Sequence, residues 1–186
     1  MERYLVEHCA PTLASIKTGN LFSYVYSSLK ELNTYIEAWN QCMKSKGVSI
    51  RALRVREHTA LIYVYRKSFL ERDLEQPGAV NFLHDRGYEY TDVEFLVERL
   101  KERLEHNHEF PHEIGLFLGY PLGDVIGFVE NSGRNCICSG CWKVYQNAAE
   151  AIRTFQRFKK CKEVYVRLWS EGKSVWQLTV DVEAGA

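Results

Sequence analysis

A single α+β or α/β domain, with helices flanking a mixed sheet of about four to six strands, is the architecture this sequence predicts. Three observations lead there. Apolar residues recur at spacings of three and four in several separated stretches, the signature of amphipathic helices. Between them lie short runs rich in β-branched and aromatic residues, two of them nearly adjacent (48–55 and 60–65). No Pro/Gly/Ser linker divides the 186 residues, and a 46% hydrophobic content is enough to fill one core.

Cys9 lies two residues before Pro11, which fits the first turn of a short helix through Thr12, Leu13 and Ile16. The thiol would then sit near a helix N-terminus, where its pKa falls and Lys17 or His8 can assist a nucleophile; the competing reading is a capping or buried thiol. Gly19 and Asn20 break the chain before a strand over 21–26. Ser28 and Glu31 have the form of a capping box, opening a helix with Leu29, Leu32, Ile36, Trp39 and Met43 inward, Cys42 buried or half-buried, and Gly47 as its end.

The runs 48–55 and 60–65 read as a hairpin, with Tyr63 and Tyr65 on one face. Arg51, Arg54, Arg56, Arg66 and Lys67 form the most basic patch, a solvated sheet face by default and an anion site as the alternative. Short helices are expected over 68–75 and 78–85. A capping box at Thr91 to Glu94 then opens a helix with Val93, Leu96, Val97, Leu100 and Leu104 inward.

The stretch 110–145 concentrates the unusual residues. Residues 114–118 form an apolar run that stops at Gly119-Tyr120-Pro121, the pattern of a buried strand. Leu122, Val125, Ile126 and Val129 continue at helical spacing until Asn131-Ser132-Gly133. Gly119, Gly123 and Gly127 fall four apart, which lets a neighbouring backbone approach that helix face. A phosphate loop is argued against, because no Gly-Lys-Ser/Thr or G-x-G-x-x-G is present, Pro121 removes a donor and Asp124 places negative charge in the first turn.

Cys136, Cys138 and Cys141 follow at C-x-C-x-x-C spacing and are candidate ligands for zinc or an iron–sulfur cluster. A fourth ligand would have to come from His106, His108 or His112; reduced structural cysteines are the competing reading. A last helix over 148–169 places Ile152, Phe155, Phe158, Cys161, Val164 and Leu168 on one stripe, and 175–182 reads as a closing edge strand.

The motifs HEIGLFLGYPLGDVIGF and Gly140-x-Trp142-Lys143-Val144-Tyr145, with the N-terminal CAPTL, resemble a bacterial domain family of unknown function best represented in anaerobic Gram-positive bacteria. The resemblance runs from about residue 9 to about residue 169 and implies a cytoplasmic protein, with no reaction attached. It includes Cys9, Lys17 and Asn20, and rests more on Gly140 and the Trp-Lys-Val-Tyr run than on Cys136 and Cys138. On this basis Cys9 and Lys17 are candidate catalytic residues, and Asn20, His112, Glu113, Tyr120, Lys143 and Tyr145 candidate ligand-binding residues, for a small-molecule ligand.

Lysine and arginine balance aspartate and glutamate at 24 each, so no global field draws the chain to nucleic acid or an acidic membrane. No apolar segment approaches the ~20 residues that span a bilayer, and the first residues lack the basic and apolar regions of a signal peptide. The expected location is cytoplasmic, with the six cysteines reduced. Three function classes follow: a thiol-bearing small-molecule or redox-linked binding protein or enzyme with an unspecified cofactor, a metal protein, and a structural or interaction protein.

Overall fold

A computed structural model describes residues 1–89, 92–106 and 110–181. Its framework is a three-stranded antiparallel sheet in the order β1-β3-β2, formed by β1 (Gly19–Val25), β2 (Val48–Val55) and β3 (Thr59–Arg66). The expected hairpin is β2–β3, with Ser49 opposite Tyr65 and a bulge between Ala52 and Arg54.

Central strand β3 is buried on both faces, and alternation sends its side chains into two separate cores. Ala60, Ile62 and Val64 face a core shared with helices α1 (Glu2–Leu13), α2 (Leu29–Met43), α8 (Ala148–Ser170) and α9 (Val175–Leu178). Tyr63 and Tyr65, stacked at 4.6 Å, face the other, with α3 (Lys67–Leu74), α4 (Ala79–His84), α5 (Val93–His106), α6 (Ile114–Phe117) and α7 (Leu122–Glu130). The fold is thus α+β, as expected.

Two expected strands are helices, which leaves the sheet smaller than four to six strands. Residues 114–118 form α6 and its cap, and every one of them is buried. An apolar run enclosed on all sides satisfies a single helical turn as well as a two-faced strand, and Gly115 lies where a Cβ would stand 2.8 Å from Val125. Residues 175–178 form α9, opened by a capping box in which Ser174 accepts from the Gln177 N–H. The S-x-x-Q spacing carried that signal. The remaining strands, β4 (Cys138–Ser139) and β5 (Lys143–Val144), make a separate two-residue ribbon.

Other positions also shift. Cys42 is exposed. On α8 the buried residues are Ala151, Phe158 and Tyr165, seven apart, while Ile152 is exposed and Cys161 half-buried. The seam is narrower than the predicted stripe because α8 packs mainly on one partner, α1. The Ser28 cap of α2 is present, accepting from Glu31 N–H at 3.2 Å. At α5, Asp92 accepts from Glu94 N–H at 2.9 Å, while Thr91 of the expected capping box lies outside the described residues.

Helix α1 begins well before Pro11, which falls in its last turn, and it closes with Ser15 at φ 58°. There Ser15 N–H donates to Thr12 O and Ile16 N–H to Pro11 O, the pair of bonds of a Schellman cap. The next lock is Arg66, the last residue of β3 and fully buried. Its guanidinium donates to four backbone carbonyls: Thr12 (2.7 Å), Leu13 (2.9 Å), Lys46 (2.8 Å) and Val180 (2.7 Å). Far from forming a solvated patch with its basic neighbours, Arg66 joins the end of α1, the turn after α2 and the C-terminal segment.

Replacing Arg66 by Met would remove a charge-assisted donor from all four carbonyls and leave those of Lys46 and Val180 without the guanidinium, while Thr12 O and Leu13 O keep the Ser15 and Val180 N–H groups; the change is expected to cost about 3 kcal/mol. Urea unfolding measures this; a loss under about 0.5 kcal/mol would show that the four bonds are not a stability determinant.

Candidate functional site

The short link between α1 and β1 carries Lys17 and Thr18, both buried. Lys17 Nζ donates to Leu118 O at 2.9 Å and to Gly19 O, and stands 5.3 Å from the centre of the Tyr120 ring. Burial brings its pKa down to about 8, against the weaker opposing pull of Cys9, Cys141 and Asp73. Beside it, the Thr18 hydroxyl donates to Asp73, whose carboxyl is raised chiefly by burial and approached by Arg72 at 3.6 Å. Lysine lowered and carboxyl raised are the two directions that desolvation imposes on opposite charges.

The second half of the site is assembled by Asp124, in the first turn of α7 and 3% exposed. One oxygen accepts from Trp142 Nε1 at 2.7 Å, and the other from the Tyr145 and Gln146 backbone N–H groups at 2.7 and 2.9 Å. The first-turn acid that argues against a bound phosphate therefore binds the protein's own donors. Gly123 and Gly127 allow the approach: a Cβ on Gly127 would stand 2.5 Å from Tyr145 Cγ, and one on Gly123 2.5 Å from the Gln146 side chain. Trp142 then stacks on Tyr120 (4.9 Å) and meets Phe155 of α8 edge-on (4.5 Å), while the Tyr120 hydroxyl donates to Cys141 O at 3.1 Å.

On one side of this Tyr120–Trp142 wall lies a cleft of about 320 Å³ lined by Lys17, Thr18, Arg72, Asp73, Gln146, Glu150 and Arg157 among others. On the other lies a cavity of about 360 Å³ with mainly apolar lining.

The residues singled out in the sequence distribute unevenly. Lys17 and Tyr120 come together, and His112, Tyr120 and Lys143 share the second cavity. Glu113 is buried away from both, accepting from Arg103 Nε at 2.7 Å and Tyr88 at 3.1 Å, so it ties α5 to α6. Asn20 accepts from the Thr12 hydroxyl at 2.7 Å and fastens β1 to α1, and Tyr145 packs its ring against Gly127.

Cys9 is not near a helix N-terminus but in the C-terminal half of α1, without solvent exposure, and burial pushes its thiol far up. The helix dipole there disfavours a thiolate, so the expected placement is corrected. Among the described residues, no three His, Cys, Asp or Glu side chains are grouped so as to hold a metal ion, Cys136, Cys138 and Cys141 included. In β4, Cys138 is paired with Val144, and Cys136 and Cys141 lie outside the ribbon's paired residues. His106 is committed to Glu102 O at 2.8 Å, and His108 lies outside the described residues.

Asp73, Arg72, Trp142, Gln146 and Arg157 were not anticipated. Asp73 and Arg157 sit in ordinary charge-rich helical segments with no local signal, whereas the Asp124-to-Trp142 connection could have been suspected from one motif ending in Gly-Asp and the other built on Trp-Lys-Val-Tyr.

Two expectations follow. Asp124→Asn keeps the shape but turns an N–H₂ toward at least one donor, so it is expected to cost on the order of 2 kcal/mol and to release the Trp142–Gln146 segment. Hydrogen exchange of the Tyr145 and Gln146 amides reads this directly, and unchanged protection would contradict it. The folded state holds Lys17 near 8, whereas the unfolded chain keeps the proton up to its ordinary pKa of about 10.4, so the unfolded state binds more protons between those values. Wild-type stability, relative to Lys17→Met, should therefore rise by on the order of 2 kcal/mol from pH 7 to pH 10. A difference that is flat or falls across that window in urea unfolding would refute the lowered amine.

No described helix is long and apolar enough to cross a membrane. Comparison with curated proteins and with solved structures gave no match. The profile of the family described as a protein of unknown function (DUF3793) matches residues 5–179. That match covers nearly the whole chain, and the chain belongs to the DUF3793 family.

Proposed function

We propose that this protein binds a small polar metabolite bearing at least one anionic group in the cleft headed by Lys17. The observation that carries the reading is a lysine 7% exposed, its amine brought down to about 8, at the edge of a cleft of about 320 Å³. Perturbed titratable groups lining a concave site are the physical mark of a functional site, since burying an ammonium costs stability that packing alone would not require.

The internal bonds indicate which groups remain for a ligand. Asp124 already accepts from three donors of the protein, and Asp73 is engaged by Thr18 and Arg72. Arg157, exposed on α8, and Glu150, in its first turn, are left to meet a ligand's anion and its donors, with Trp142 as a flat wall. An arginine fork suits a carboxylate or phosphate, and the wall suits any planar part of the molecule.

The thiol part of the reading moves to Cys141, which is exposed and within electrostatic reach of Lys17. Burial of its sulfur raises its pKa, against the pull of Lys17, so little thiolate is present at neutral pH. The arrangement supports binding ahead of nucleophilic attack.

The test is a thermal-shift screen at pH 7 with phosphate, citrate, malate, the common amino acids and nucleoside monophosphates. At least one is expected to raise Tm by several degrees with a Kd below about 1 mM, and Arg157→Glu to abolish that shift without lowering the unliganded Tm. A panel that moves wild type no more than Arg157→Glu rejects the cleft as a binding site; with a defined oligomer in solution, it would favour the structural reading instead.

A further inference from the structure

Behind the Tyr120–Trp142 wall, the second cavity differs in kind from the Lys17 cleft. Its volume is about 360 Å³, and Phe110, Ile114, Val125 and Phe128 join the two wall rings as apolar lining. An enclosed apolar space of roughly 150 Å³ already holds benzene, so there is room here for one or two fused rings.

Besides the Tyr120 phenol, which donates to Cys141 O, three of its lining residues carry ionisable groups: Asp124, His112 and Lys143. The Asp124 carboxylate is consumed by Trp142 and two backbone N–H groups, which leaves the two basic side chains. They flank the same ring. His112 meets Phe128 edge-on with centres 4.9 Å apart, and Lys143 Nζ lies 5.8 Å from the Phe128 centre. Lys143 Nζ spends one hydrogen on Gly133 O at 2.5 Å, and an ammonium has three. Both basic residues are exposed, whereas Tyr120, Phe128 and Trp142 are half-buried, so the cation stands at the rim of these three rings.

We propose that this cavity binds a planar aromatic carboxylate, its ring held among Phe128, Tyr120 and Trp142 and its carboxylate at Lys143 and His112. Offset or edge-on ring contacts favour a flat π-system over a saturated one of equal size, and the rim cation selects an acid over its neutral isostere. The two sites share Asp124 and Trp142 in their lining but no basic group, so the cation at each can be changed separately.

The experiment is saturation-transfer NMR with affinity titration on the full chain, using indole-3-acetate and benzoate. Their amides and cyclohexanecarboxylate serve as the neutral and saturated controls. Indole-3-acetate is expected to bind with a Kd below about 1 mM and its amide about tenfold more weakly. Lys143→Gln should reduce the acid to the affinity of the amide. Ser139→Trp, at an exposed lining position of the ribbon, should abolish both. Arg157→Glu, in the other cleft, should change neither. Absence of ring saturation for every aromatic acid, equal affinity of acid and amide in wild type, or binding indifferent to both Lys143→Gln and Ser139→Trp would each overturn the proposal. Near-ultraviolet circular dichroism of the two variants separates loss of binding from loss of fold.

Discussion

The structure depends on a positive charge in its interior whose hydrogen-bond partners are neutral carbonyls. Arg66 is fully buried and answers to four neutral carbonyls. Two of these, Thr12 and Leu13, belong to the last turn of α1, where the helix dipole presents its negative end. Charge-assisted bonds to aligned carbonyls offset a desolvation cost that isolated acceptors would not. The same residue acts through its backbone, since Arg66 N–H donates to Thr18 O at 2.9 Å. Side chain and main chain together fix both ends of the link that carries Lys17. The position of the candidate ligand-binding amine is thus set by a residue in the core and not by its own neighbours.

Asp124 is the counterpart with the sign reversed. It too is buried, and it too is satisfied by neutral groups, one indole N–H and two backbone N–H groups. Where Arg66 gathers the C-terminal ends of segments, Asp124 gathers the ribbon and the start of α8 onto α7. Between these two anchors stands the Tyr120–Trp142 stack, with Lys17 over one ring and Phe155 against the other. One wall therefore separates a polar cleft from an apolar cavity, and any change that moves Trp142 alters both.

The sequence made the helices and the hairpin legible because each carries its information locally. Capping residues at Ser28, the spacing of Leu96, Val97, Leu100 and Leu104, and the adjacent β-branched runs of β2 and β3 all act within a few residues. Residues 114–118 were misread because an apolar run enclosed on every side has no period to reveal. Cys9 was misplaced because Pro11 is as compatible with the end of a helix here as with a beginning. Proline lacks the N–H that would bond to residue 7, but the turn survives through the Schellman bonds from Ser15 and Ile16.

The site was less legible than the fold for a physical reason. Its lining comes from segments around residues 17, 72, 120, 124, 142, 146 and 157, and no pair chemistry within one segment announces the cleft. What the sequence does display is the means of assembly. Gly123 and Gly127 are bare because Gln146 and Tyr145 lie on them, and Asp124 stands between because the same two residues present their N–H groups to it. The long glycine-rich motif and the Trp-Lys-Val-Tyr motif are two halves of one contact. Around the ribbon, Cys138 faces Val144 in register, and Cys141 offers its carbonyl to Tyr120. Their segment supplies the wall, with the charged groups around Lys17 on one side and the ring cluster of Phe128 on the other.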